Sequence, residues 1–121
     1  MYQPHDKILT WHPTGKRGAY IAKKNYDLTV DFILSVLKTR EITLKDLIEL
    51  GNVQLANKID GDISWHILVV KLDMEARGLV AAVLKPVPYK SQFLKLRPRA
   101  LKKYKNSFTG YDLLKPRSSL I

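Results

Sequence analysis

A chain of 121 residues with no cysteine fits one domain around a single core, and it excludes disulfides, thiolate catalysis and every zinc site that needs sulfur. An apolar fraction of 45% argues against wholesale disorder, and a net charge of +10 favours an anionic partner. The longest apolar runs, Ile67 to Val70 and Leu79 to Leu84, are far too short to span a bilayer. The opening MYQPHDKILTWHP has no apolar run long enough for a signal peptide, so a cytoplasmic protein without a membrane partner is expected.

The charge is unevenly spread. Residues 1–40 carry seven basic and three acidic groups, net +4. Residues 41–80 carry four basic and seven acidic groups, net −3. Residues 81–121 carry ten basic groups and one Asp, net +9. The last third is therefore the cationic part.

Residues 1–26 read as an N-terminal arm rich in turn formers, His12-Pro13-Thr14-Gly15 and Gly18, with one short strand around Ala19 to Ala22 or a flexible arm as alternatives. From Asp27 the pattern is helical. Val30, Ile33, Leu34 and Leu37 fall on one face, Asn25 or Asp27 is available as N-cap, and Lys38 and Arg40 suit the C-terminal dipole, which predicts a first helix over about 27–39. Thr43 followed by Asp46 opens a second helix with Leu44, Leu47 and Ile48 as its apolar face, and Gly51-Asn52 is expected to end it. VQLANKI, residues 53–59, is compatible with a further short helical turn. Asp60-Gly61-Asp62 makes a turn, and Asp62 is a good N-cap for a third helix over about 63–77, closed by Gly78.

Leu79 to Leu84 reads as a strand. The prolines in Lys85-Pro86-Val87-Pro88 exclude a central strand and predict a loop over 85–90. Gln92 to Arg97 alternates, with Leu94 and Leu96 on one face and Phe93, Lys95 and Arg97 on the other, as in a half-exposed strand. Residues 99–105 have room for a short basic helix, and residues 107–121 read as a loosely held tail.

The order helix, helix, helix, strand, loop, strand, together with Met74-Glu75-Ala76-Arg77-Gly78-Leu79-Val80, resembles the winged helix-turn-helix superfamily. That run is similar to the ending of the third helix in the MarR-like branch, where a glycine closes the helix and two apolar residues start the wing. The resemblance implies an α+β, mainly α, fold over 27–106: a three-helix core followed by a two-stranded β wing. It also implies DNA contact through helix 3 and the wing, although winged helices occur as purely protein-binding modules too. One departure stands out. About twelve residues separate Leu50 from Ile63, where a helix-turn-helix has a turn of three or four.

Helix 3 itself sits awkwardly with groove reading. At ~100° per residue, Ile63, Ile67, Val70 and Met74 form a core stripe, and Trp65, Leu68, Val69, Leu72 and Ala76 form a second apolar stripe opposite it. Only two polar seams remain: Ser64, Lys71 and Glu75 on one side, His66, Asp73 and Arg77 on the other. A groove reader presents long donors and acceptors to base edges. The second stripe is expected to be covered by the arm, by residues 53–59 or by another subunit; the alternative keeps Ser64, Lys71 and Glu75 as a narrow exposed seam near the groove.

The cationic cluster Lys85, Lys90, Lys95, Arg97, Arg99, Lys102, Lys103 and Lys105 is the stronger candidate for phosphate contact, interleaved with Tyr89, Phe93 and Tyr104. A solvated cationic surface that serves solubility is the plain alternative. Lys16-Arg17 and Lys23-Lys24 add basic groups to the arm.

No catalytic constellation is present. Thr14-Gly15-Lys16 is similar to the end of a phosphate-binding loop, but Arg17 stands where a Ser or Thr must follow. His5, His12 and His66 are not spaced as ligands, and His66 is better read as a hydrogen-bonded structural residue. Asp60 and Asp62 do not continue into a calcium loop. The sequence therefore predicts a non-enzymatic protein without metal or cofactor. The leading expectation is a DNA-binding winged helix acting in transcription regulation. The alternative is a protein-interaction or dimerisation module that uses Trp65, Leu68, Val69 and Leu72. RNA binding through the basic strand and tail ranks last.

Overall fold

The structure is a computed structural model and describes residues 6–85, 91–98, 110–112 and 115–117. The chain is α+β, with three helices and small antiparallel sheets among the described residues. Strands β1 (Lys7–Leu9) and β2 (Tyr20–Ala22) form a hairpin in the register Ile8 opposite Ile21. Thr10 extends it: its N–H donates to the Ala19 carbonyl at 2.9 Å, and its hydroxyl accepts from the Ala19 N–H at 2.9 Å. The arm is thus two strands where one was expected, and it packs against the first helix.

Helix α1 (Lys23–Leu37) begins four residues earlier than the pattern predicts. Neither expected cap is used. Ala22 is the N-cap, Asn25 lies buried inside the helix, and Lys23 pairs with Asp27 at 2.9 Å. The cause is tertiary: β2 runs straight into the helix, and the Lys23 N–H donates to the Asp6 carbonyl at 3.1 Å. One otherwise unpaired first-turn donor is satisfied by the neighbouring strand instead of a cap. The predicted face is buried throughout, with Ile33 fully enclosed.

Strand β3 (Ile42–Thr43) leads directly into α2 (Leu44–Gln54). Thr43 serves both, since its hydroxyl accepts from the Asp46 N–H at 3.1 Å as the expected N-cap. Gly51 does not end this helix, which runs on to Gln54. A Cβ at Gly51 would lie 2.1 Å from Ile67 Cδ1 and 3.1 Å from Phe32 Cε2. The glycine marks where α2 crosses α3, and it is small because three elements meet there.

Helix α3 (Ile63–Ala76) starts at Asp62, whose carboxylate accepts from the Trp65 N–H at 3.0 Å. It closes as the sequence predicts. Gly78 takes φ +76°, its N–H donates to the Glu75 carbonyl, and the Leu79 N–H reaches back to the Met74 carbonyl at 2.9 Å. That pair of hydrogen bonds is a Schellman closure, and the left-handed residue allows it. Strands β4 (Val80–Lys85) and β5 (Ser91–Leu96) follow, paired with Ala82 opposite Leu94. β3 pairs with the free edge of β5, so the sheet has three strands in the order β3-β5-β4, one more than a two-stranded wing.

Leu94 and Leu96 face the core, while Phe93 and Lys95 are half-buried and Arg97 is exposed, matching the predicted alternation. Beyond the basic run, β6 (Gly110–Asp112) and β7 (Lys115–Arg117) pair with each other. Residues 86–90 of the expected loop and the expected basic helix over 99–105 lie outside the described residues.

Candidate functional site

The site is built on α3. Its inner stripe behaves as predicted: Ile67, Val70 and Met74 are fully buried, and Ile63 is half-buried against the same core. The seam of His66, Asp73 and Arg77 does not behave as an exposed seam. Asp73 has no solvent exposure at all. Its Oδ1 accepts from the Trp11 N–H at 2.8 Å, and its Oδ2 accepts from the Tyr26 hydroxyl at 2.6 Å and from Arg77 Nε at 2.9 Å. One carboxylate therefore ties the loop after β1, helix α1 and the end of α3 together. Arg77 also lies 4.3 Å from the centre of the Trp11 ring.

His66 is the second member of that buried seam and carries a structural role. Its Nδ1 lies 2.7 Å from the Asp62 carbonyl, which can only accept, so Nδ1 holds the proton. Nε2 is then the acceptor facing the Asn25 amide at 3.4 Å. The same amide lies 3.5 Å from the Asp60 carbonyl. Asn25 thus fastens the turn before α3 to α1.

The second apolar stripe is covered over half its length. Thr10, Trp11, Arg17, Val69 and Leu72 line one shallow cleft, so the loop between β1 and β2 is the cover for the C-terminal half. The cleft, about 130 Å³, falls short of the roughly 300 Å³ of a small-molecule pocket. The N-terminal half stays open, with Trp65 40% and Leu68 39% exposed. Trp11, 54% exposed, sits over the C-terminal half beside Val69, Leu72 and Arg77. The outward face of α3 therefore presents Trp65 and Leu68 in its N-terminal half and lies under the β1–β2 loop in its C-terminal half.

The polar candidates on α3 are engaged within the chain. Lys71 Nζ donates to Glu75 Oε1 at 3.0 Å, and both side chains are largely covered. Ser64 Oγ accepts from the Asn52 amide at 3.1 Å, joining α2 to α3. Neither is brought to the centre of the outward face. The sheet candidates lie elsewhere, on the face of β4 and β5 turned away from the core. Lys85 bonds Glu41 at 2.6 Å and lies 5.1 Å from the Phe93 ring. The Lys85 hydrogen bond holds the Glu41 carboxyl below the usual carboxylate range. Lys95 and Arg97 share that face by strand alternation. Lys90, Arg99, Lys102, Lys103 and Lys105 lie outside the described residues. Among the described residues, no group of three or more His, Cys, Asp or Glu is placed to hold a metal ion, and no helix is long and apolar enough to cross a membrane.

Asp73 is the residue that sequence reasoning missed. The wheel did carry a signal. An acid wedged between two wide apolar stripes has a seam too narrow to stay open once the second stripe is covered. What the wheel cannot supply is the cover, which comes from residues sixty positions away.

No curated protein and no solved structure matches the chain. A family model described as a family of unknown function, DUF6958, matches residues 7–89, which hold the hairpin, β3, helices α1, α2 and α3, and β4. The chain belongs to that family.

Proposed function

We propose that the domain is a winged helix whose third helix is a protein-docking face and not a groove reader. The element order α1-β3-α2-α3-β4-β5, with β3 on the outer edge of β5, supports the winged-helix part. The observation that carries the functional part is the outward face of α3. Where a groove reader needs donors, it offers Trp65 and Leu68 to solvent, with Lys71 already paired to Glu75. Two large apolar side chains exposed three positions apart on one helix face suit contact with a protein partner better than contact with base edges.

The test is a photo-crosslinking side chain placed at Leu68 in the intact protein inside cells, with the same group at Lys45 on α2 as reference. Discrete adducts at position 68 and none at position 45 are expected. No adduct at 68 above the reference removes the docking reading.

A second reading, a DNA-binding regulator, is favoured by Lys95 and Arg97 on the outer sheet face together with the net +9 of residues 81–121. Such binding would be to phosphates, sequence-independent and weakened by salt. Charge reversal at Lys95, Arg97 and Lys102 that leaves duplex affinity unchanged would falsify it.

A further inference from the structure

We infer that the outer face of the β1–β2 hairpin is a stacking platform for single-stranded nucleic acid. It is a different surface from the open half of α3 and from the outer face of the three-stranded sheet, and it stands or falls independently of both.

Strand alternation sets the face. Ile8 and Ile21 lie opposite each other and point inward, where Ile21 is buried and Ile8 packs on the core. Lys7, Leu9, Tyr20 and Ala22 therefore point outward, with Leu9 directly across from Tyr20. Tyr20 is 58% exposed, and Leu9 is exposed beside it. Trp11, two residues after Leu9, adds a second open ring where the hairpin meets α3.

Trp11 is held in place. Its backbone N–H donates to the fully buried Asp73 at 2.8 Å, and the Arg77 guanidinium lies 4.3 Å from the centre of its ring. A ring that is already fixed loses little freedom when a ligand stacks on it.

Cations stand at both ends of these rings. Lys7 and Lys24 are exposed where β1 begins and β2 ends, and Lys16 and Arg17 are exposed in the loop that joins the strands. Arg17 lines one cleft with Trp11. Among the described residues none of these four cations makes an ion pair. Residues 6–26 carry five basic groups against a single acid, Asp6.

Open rings between unpaired cations match one ligand chemistry. Phosphates take the cations and unstacked bases take the rings. A single strand offers both together, whereas a duplex keeps its bases inside the stack. A lipid surface is the other anionic partner, but it takes an apolar face that sinks among the lipids. Here Leu9 and Ala22 are the aliphatic side chains on the face, and the loop tip is Pro13-Thr14-Gly15-Lys16.

The test is fluorescence anisotropy of labelled oligo(dT), oligo(U) and an oligo(dA)–oligo(dT) duplex against the full-length protein across a salt series. The single strands are expected to bind more tightly than the duplex and to weaken as salt rises. Tyr20→Leu keeps an apolar side chain across from Leu9 but removes the ring, and it should weaken single-strand binding roughly tenfold with duplex binding unchanged. Tyr20→Phe should bind as the wild type does. The single-strand preference should survive K95E/R97E, which removes the cations of the other sheet. In Trp65→Phe, where Trp11 is the one remaining indole, oligo(dT) should shield that ring from acrylamide. Binding of one single strand alone, dependent on Tyr20, supports the inference and says whether RNA or DNA is the ligand. A duplex bound as tightly as the single strands, or Tyr20→Leu binding oligo(dT) and oligo(U) as the wild type does, overturns it. So does Tyr20-dependent binding to phosphatidylserine–phosphatidylcholine vesicles with no binding of either single strand.

Discussion

Replacing Asp73 with alanine is expected to lower folding stability by about 3 kcal/mol, measured by urea unfolding. The loss comes from what the carboxylate leaves behind. The Trp11 backbone N–H and the Tyr26 hydroxyl both donate to a fully buried carboxylate, and without it each loses that acceptor in a partly covered site. Arg77 contributes less, because a third of its side chain is in water and it can be resolvated there. Asp73→Asn should cost less than alanine, since one oxygen still accepts, but its amide faces donors and one contact is lost. Tyr26→Phe should cost about 1 kcal/mol in the wild-type background and clearly less in Asp73→Ala. Equal costs for Tyr26→Phe in both backgrounds would show that the two side chains do not share a bond that matters.

Gly51→Ala is expected to destabilise by roughly 2 kcal/mol, opposite in sign to the usual effect. In an exposed helix interior the change gains about 1 kcal/mol. Here the new methyl would overlap Ile67 Cδ1, and Ile67 is fully buried with Phe32 on the other side. Overpacking of a filled core costs about 1–3 kcal/mol, and the two helices cannot part without opening the centre of the domain. Ile67→Val removes the overlapping carbon. The double variant Gly51→Ala/Ile67→Val should therefore be more stable than the sum of the single changes by at least about 1 kcal/mol. Simple additivity in thermal or urea unfolding contradicts this account of the crossing.

Gly51 also shows where the sequence misleads. A glycine followed by asparagine in a helical run is a reasonable stop, and nothing local distinguishes a stop from a crossing point. The decisive atom belongs to Ile67, sixteen residues on. The same holds for the start of α1. Asn25 and Asp27 are good cap residues, but the Asp6 carbonyl satisfies Lys23, and no local pattern encodes that. Strand β3 escaped because two residues cannot show an alternation; it exists through its pairing with Leu94 and Phe93. What was legible was local chemistry acting locally. Thr43 and Asp62 cap the helices they were expected to cap, Gly78 closes α3, and the inner stripes of α1 and α3 are buried. The double-sided apolar character of α3 was legible too. Which half of the outer stripe stays open was not, since that depends on how far the β1–β2 loop reaches.

The most direct test of that open half uses Trp65 as its own reporter. Trp11 and Trp65 are the two tryptophans, so Trp11→Phe leaves a single indole on the outward face of α3. Acrylamide quenching of that indole is measured with and without a saturating random-sequence DNA duplex. The account predicts ready quenching of the half-exposed ring, unchanged by the duplex. Shielding of Trp65 by the duplex would put α3 in a DNA groove and contradict it.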